Sequence, residues 1–266
     1  MKDSLQGKIV LLTGASSGIG WATALELSRR GCRLAVAARR KDKLQELADL
    51  LPEDTLTLPW DVSDTQRAPE LIALVLERFG RLDILINNAG VMSTKRFHEQ
   101  DMAEVESVLQ TNFFGAAALT RSVLPSMLAR RDGHIVNIAS MAGVLGFPFM
   151  AAYAASKFAL VGFTESLRRE YRGTGVTLTS FCPGSVPTAM TAASFADEKL
   201  SRLARPKTTA QMARRIADCC RERSPEVLYG DAPGLVLRFA QWFPRLTDHL
   251  MHLIYTQAHP LGRKVV

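Results

Sequence analysis

Two side chains in this chain are spaced for proton transfer. Tyr153 and Lys157 are four residues apart, so on a helix they share one face and can converge on one cleft. A phenol exchanges protons poorly near neutral pH, because its unperturbed pKa is about 10. An ammonium beside it favours the phenolate and should lower that value. The pair alone is weak, since a tyrosine and a lysine on a solvated helix face would look the same. Thirteen residues upstream stands Ser140, placed to donate a hydrogen bond to a substrate oxygen and help position it.

A second cluster is Thr13-Gly14-Ala15-Ser16-Ser17-Gly18-Ile19-Gly20. Its glycines permit a tight turn and let backbone approach a pyrophosphate. A helix opening there offers free N–H groups and the positive end of its dipole. The same residues also match G-x-S-x-G, which would make Ser16 a nucleophile on a sharp elbow. That reading requires an oxyanion loop from an earlier strand, and no such segment precedes residue 13.

These residues need elements to hold them, and the hydrophobic pattern supplies a regular series. Strands are predicted at Lys8–Thr13, Arg33–Ala37, Thr55–Pro59, Asp83–Ile86, His134–Ile138, Thr177–Phe181 and Val227–Tyr229. Helices are predicted at Ile19–Arg30, Asp42–Leu51, Thr65–Phe79, Met102–Ala129, Ala151–Arg172 and Thr209–Arg221. Near-continuous apolar strands alternating with helices imply an α/β fold: one Rossmann-like, doubly wound parallel sheet of about seven strands, with helices on both faces. Residues 1–232 are expected to form one domain, with 233–266 as its amphipathic C-terminal extension.

With that order in place, the chain resembles the short-chain dehydrogenase/reductase family. The resemblance rests on Thr13-Gly14 through Gly20, Asp61-Val62, Asn87-Asn88-Ala89-Gly90, Asn112, Ser140, Tyr153-x3-Lys157, and Pro183-Gly184 with Thr188. It implies hydride transfer between a nicotinamide cofactor and a carbonyl or secondary alcohol. Tyr153 would be the general acid/base and Ser140 would place the substrate oxygen. Lys157 would tune Tyr153 and bind the nicotinamide ribose. Asn112 would hold a water in a proton relay, or else cap or kink its own helix. The resemblance places Gly14, Ser16, Ser17, Gly18, Ile19, Gly20, Asp61, Val62, Asn88, Ala89, Gly90, Pro183, Gly184, Val186 and Thr188 around the cofactor. Asn87 either joins them or ties neighbouring strands together.

Cofactor choice turns on Ala38-Arg39-Arg40, where NAD-selective folds place an acid on the ribose 2′-hydroxyl. Two arginines suit a 2′-phosphate. NADP(H) is therefore expected, with NAD(H) as the alternative and Arg39 as the main determinant. Arg40 either shares that task or faces solvent at the start of a helix.

The substrate is read as an apolar ketone, aldehyde or secondary alcohol, with steroid-like, retinoid-like or fatty carbonyls as examples. Val186, Ala189, Met190, Ala192, Ala193 and Phe195 would form a lid, and Phe147 to Met150 the opposite wall. The alternative is that these residues pack in the core.

Of 266 residues, 47% are hydrophobic and 22% charged, which excludes a disordered or fibrous chain. The net charge is +7, of which +5 falls after residue 195, yet no run of five basic residues argues for nucleic acid. Ile9–Leu12 is too short for a signal-peptide core, and Cys32, Cys182, Cys219 and Cys220 lack metal-ligand spacing. No metal is expected; His249 and His252 share a helix face without a third ligand. A reduced, cytoplasmic homodimer or homotetramer is the expectation. From Gly234 to Tyr255, apolar residues at near-helical spacing suit a protein contact or, as second choice, a peripheral membrane contact.

Overall fold

The computed structural model describes residues 5–191, 206–230 and 239–258, with side chains described up to residue 253. Seven parallel strands form one sheet in the order β3-β2-β1-β4-β5-β6-β7. They are β1 (Ile9–Thr13), β2 (Arg33–Ala38), β3 (Leu56–Pro59), β4 (Ile84–Asn87), β5 (Gly133–Ile138), β6 (Val176–Pro183) and β7 (Glu226–Tyr229). The helices are α1 (Gly18–Arg29), α2 (Lys41–Ala48), α3 (Ala68–Phe79), α4 (Met102–Leu109), α5 (Gly115–Arg130), α6 (Ala151–Glu170), α7 (Thr209–Glu222) and α8 (Pro244–Ala258).

The alternation along β1 explains why the strand is apolar throughout. Val10 and Leu12 pack into the core beneath α1, α2 and α7, whereas Ile9 and Leu11 face the core beneath α3 and α5. A strand covered on both faces favours apolar side chains, and the one polar residue of β1, Thr13 at its end, has its hydroxyl hydrogen-bonded. The strand order reverses between β1 and β4. A crevice opens there at the carboxyl ends, where such folds bind ligands.

The sequence predicts one helix over Met102–Ala129, and the structure divides it. α4 gives way to a π-helical turn, Gln110–Phe114, before α5 begins. Asn112 lies in that turn and bonds outward, to Val91 and Ser156, rather than to its own helix. Gly115 then meets the loop after β3, where an added Cβ would stand 2.6 Å from the Val62 carbonyl. Hydrophobic periodicity runs through all three segments, so it does not reveal the break.

Candidate active site

The glycine turn is built by a latch between β1 and β4. Thr13 Oγ1 donates to the Ile86 carbonyl and accepts from the Asn88 and Ala89 amides at 3.0 and 3.1 Å. The Asn88 side chain donates to the carbonyls of Thr13 and Gly14 at 2.9 and 3.2 Å. The two strand ends are thereby drawn so close that side chains are excluded. A Cβ on Gly14, whose φ is +68°, would lie 2.7 Å from the Ala89 Cα. One on Gly20 would lie 2.2 Å from the Gly14 carbonyl oxygen.

This turn forms one wall of a cleft of about 280 Å³. Gly14, Ser16, Ser17, Gly18, Ile19 and Gly20 line it together with Arg39, Arg40, Asp61, Val62, Asn88, Ala89 and Gly90. From the other half of the sheet come Tyr153, Lys157, Pro183 and Thr188. Thus residues from five separate strand-end segments and from α6, scattered over 175 positions of sequence (Gly14 to Thr188), reach one crevice. Gly184 and Val186 do not line it. The Gly184 amide donates to the Tyr229 carbonyl, and Val186 is buried in the core.

The two arginines behave differently. Arg39 is exposed, with its guanidinium 3.9 Å from Asp61. Arg40 reaches back over the turn, donating to the hydroxyls of Ser16 and Ser17 at 3.0 and 2.8 Å. It is exposed and stands immediately before α2, as the helix-start alternative has it, and its guanidinium also bonds to the turn. Both arginines line the cleft, and Arg40 is the one hydrogen-bonded to the glycine turn. Asp61 accepts from the amide and hydroxyl of Ser63, closing its own local turn.

On the other side, Ser140 follows β5. Its Oγ accepts from the Ala142 amide at 3.1 Å, and its hydroxyl acts on Tyr153 to lower the phenol's pKa. Lys157 lies one helical turn beyond Tyr153, buried, with Nζ donating to the Ile138 carbonyl at 2.9 Å. That nitrogen is 5.7 Å from the centre of the Tyr153 ring. Gly90 completes the floor: an added Cβ would stand 3.2 Å from Asn112 Oδ1 and 3.6 Å from Lys157 Nζ.

Before any nicotinamide charge is added, the protein's own groups shift Tyr153 opposite to the expected direction. Burial raises the Tyr153 pKa, opposed by the Ser140 hydrogen bond, so the phenol is held protonated rather than primed as phenolate. Burial also lowers Lys157, to about 8, opposed by nearby Cys182. Removing water penalises whichever form is charged, and burial is the leading cause of both shifts.

Asn112 is buried and its amide is spent on neighbours. Oδ1 accepts from the Val91 amide at 2.8 Å, and Nδ2 donates to the Val91 carbonyl and to Ser156 Oγ, each at 2.9 Å. Ser156 in turn donates to the Tyr153 carbonyl. Asn87 ties strands together, donating to Asn137 Oδ1 at 2.8 Å across β4 and β5. Cys182 is a buried strand residue whose thiol burial pushes up to about 11. Thr13, Ser156 and Val91 were missed by sequence reasoning. For Thr13 the signal was a hydroxyl at a strand end directly before the first glycine.

Among the lid residues, Met190 is exposed and lines the cleft beside Ala189. Ala192, Ala193 and Phe195 lie outside the described residues. No group of three or more His, Cys, Asp or Glu capable of holding a metal occurs among the described residues.

A doubly wound sheet whose switch-point crevice joins a glycine turn to a Ser, Tyr and Lys set defines a dinucleotide-dependent oxidoreductase. The family model for short chain dehydrogenase matches residues 8–199. The chain belongs to the short-chain dehydrogenase/reductase family and is an NAD(P)-dependent dehydrogenase/reductase. It is 35% identical over 249 residues to the Dehydrogenase/reductase SDR family protein 7-like of Drosophila melanogaster, covering 88% of this chain and 76% of that one. It is also 35% identical over 258 residues to the Ketoacyl reductase HetN of a Nostoc strain, covering 93% and 89%. A crystal structure of a putative NAD(P)-dependent gluconate 5-dehydrogenase from Beutenbergia cavernae, with NADP at low occupancy, superposes with a TM-score of 0.79. That similarity spans 89% of this chain and all of the other, at 32% identity. A short-chain dehydrogenase from Streptomyces avermitilis gives the same TM-score at 29% identity, over 91% and 94% of the two chains.

Proposed function

We propose that the protein is an NADPH-preferring reductase of apolar carbonyl compounds, with Tyr153 as proton donor. The observation that carries this reading is Tyr153 and buried Lys157 side by side at the end of the glycine-turn cleft, with Nζ 5.7 Å from the tyrosine ring centre. When bound, the cofactor supplies a hydride to the carbonyl carbon. Ser140 orients the carbonyl oxygen towards Tyr153. The raised pKa keeps the Tyr153 phenol protonated at neutral pH, which suits donation to the oxygen as negative charge develops on it. Lys157, largely charged at pH 7, holds the ribose hydroxyls and stabilises the tyrosinate left behind. Asn112 acts as a positioning residue, locking α4, α6 and the Val91 loop around Lys157.

The residues present fit a phosphorylated dinucleotide. Gly14 and Gly20 leave no room for side chains, and Gly18 carries a φ of +57° at the start of α1. Backbone amides there can meet phosphate directly. The Arg40 guanidinium over two serine hydroxyls presents a donor cluster for a 2′-phosphate. Exposed Met190 at the cleft rim favours an apolar substrate.

Tyr153→Phe tests the assignment. NADPH-dependent turnover of an apolar ketone should fall about 1000-fold, within the range for general acid loss, while the NADPH Kd changes less than about twofold. Turnover retained near the parent rate would overturn the role of Tyr153.

A further inference from the structure

Among the described residues, three that are not glycine have a positive φ: Arg131, Phe149 and Arg223. The two arginines close α5 and α7, an ordinary place for a left-handed residue. Phe149, with a φ of +66°, precedes a helix instead. It lies between Ser140 and α6, two residues before that helix opens and four before Tyr153. Met150, the residue that opens α6, makes no side-chain cap, so the incoming chain sets where the helix begins. A bulky side chain disfavours positive φ, which persists only where the surroundings hold it. The hold comes from the loop after β4: the Lys95 amide donates to the Phe149 carbonyl at 2.9 Å.

That loop is stapled in turn to α4. One carboxylate oxygen of Glu104 accepts from Ser93 Oγ at 3.1 Å and the other from Lys95 Nζ at 2.9 Å. Ser93 is buried, and its hydroxyl also accepts from the Gln100 side chain at 3.2 Å. An exposed ion pair by itself would fix little. Here each carboxylate oxygen has its own donor, and one of them belongs to a buried network. Glu104 sits in the first turn of α4, whose opening Asp101 caps by accepting from the Ala103 amide at 3.1 Å. Both donors hold the Glu104 carboxyl below its ordinary range, so the staple is charged at neutral pH.

We propose that Glu104 is a positioning residue for Tyr153. Through Ser93 and Lys95 it holds the loop whose backbone clamps Phe149, and the clamp sets the start of α6. The inference rests on Tyr153 being the proton donor. Glu104 does not line the cleft. Val91, the loop residue that does, is held separately by Asn112, so loss of Glu104 reaches the chemistry through Phe149.

The test is a pair of substitutions, measured with a carbonyl substrate that the parent reduces. Glu104→Ala should lower kcat on the order of tenfold, since misplacing a reacting group by about 1 Å can cost about 100-fold. Its NADPH Kd, from fluorescence titration, should match the parent and certify the fold. The discriminating measurement repeats Glu104→Ala in a Phe149→Gly background. Glycine adopts positive φ unaided, so there Glu104→Ala should change kcat by less than about twofold. A loss of equal size in both backgrounds overturns the route through Phe149. Parent kcat in Glu104→Ala overturns the proposal, as does NADPH affinity that falls in step with kcat, because the loss then belongs to the whole fold. Tyr153→Phe, run alongside, separates the two levels. Turnover retained there removes the proton donor and the positioning role together. Turnover lost there, with Glu104→Ala at the parent rate, removes the positioning role only.

Discussion

The two walls of the cleft are built on opposite principles. The wall from β1, β2 and β4 works by shape: Thr13 and Asn88 draw two strand ends together until glycine is required. Its polar side chains mostly hold backbone. The wall from β5, β6 and α6 works by ionisation: Tyr153, Lys157 and Cys182 are crowded into low dielectric, and each is displaced from its ordinary pKa. A dinucleotide is bound chiefly through amides and close approach, while proton transfer needs groups whose charge is costly and therefore movable. One wall should fail on adding an atom and the other on changing a charge.

The largest effect is expected from adding one methyl group to the first wall. In Gly20→Ala the new Cβ would lie 2.2 Å from the Gly14 oxygen and 2.6 Å from Asn88 Nδ2. The first neighbour is backbone and the second is fixed by two hydrogen bonds. NADPH affinity should fall more than about 100-fold, with a loss of roughly 2 kcal/mol or more in stability, as for overpacked sites. Gly146→Ala, on the substrate side, is the control: nothing lies within 4 Å of its Cβ position. Fluorescence titration and thermal melts of both variants measure the contrast. Equal tolerance of the two substitutions would erase the distinction between the walls.

Next comes the one place where the first wall uses charge. Arg40→Ala should lower the preference for NADPH over NADH about 10- to 100-fold, the range for a charge-assisted contact. Arg39→Ala should cost only a few-fold, because its guanidinium faces an acid at 3.9 Å, whereas Arg40 is already held on Ser16 and Ser17. The Kd ratios of the two cofactors report this directly. A larger effect at Arg39 would return that residue to the role the sequence suggests.

The arginine pair shows where sequence reading stops. Strand and helix positions were legible because a sheet buried on both faces demands apolar runs, and those runs end at turn residues. Glycines at Gly14, Gly18 and Gly20 were legible because close backbone approach admits little else. Arg39 and Arg40 are neighbours just beyond β2, and the residue that turns inward depends on the hydroxyls of Ser16 and Ser17, 23 or 24 positions away. The π-helical turn at Asn112 is likewise decided by Val91 and Ser156, on other elements. The direction of the Tyr153 shift was missed for a related reason. Spacing makes the attraction to Lys157 visible, but burial is a property of the packed fold.

The smallest predicted effect is a pH dependence of the second wall, and its sign can be worked out. Lys157 holds its proton below about pH 8 in the folded protein, against an ordinary value of 10.5. If its charge supports proton donation by Tyr153, kcat/KM for carbonyl reduction should decline about tenfold between pH 7 and pH 9. Tyr153 titrates higher, so it leaves that window clear. Lys157→Met should be slow throughout and flat across it. Folding stability should move the other way: between about 8 and 10.5 the unfolded chain binds the Lys157 proton and the folded one does not, so stability rises with pH there. Activity falling while urea midpoints rise separates deprotonation from unfolding. A flat parent profile would mean that the second wall works without the lysine charge, leaving burial and the Ser140 hydrogen bond to hold the phenol ready.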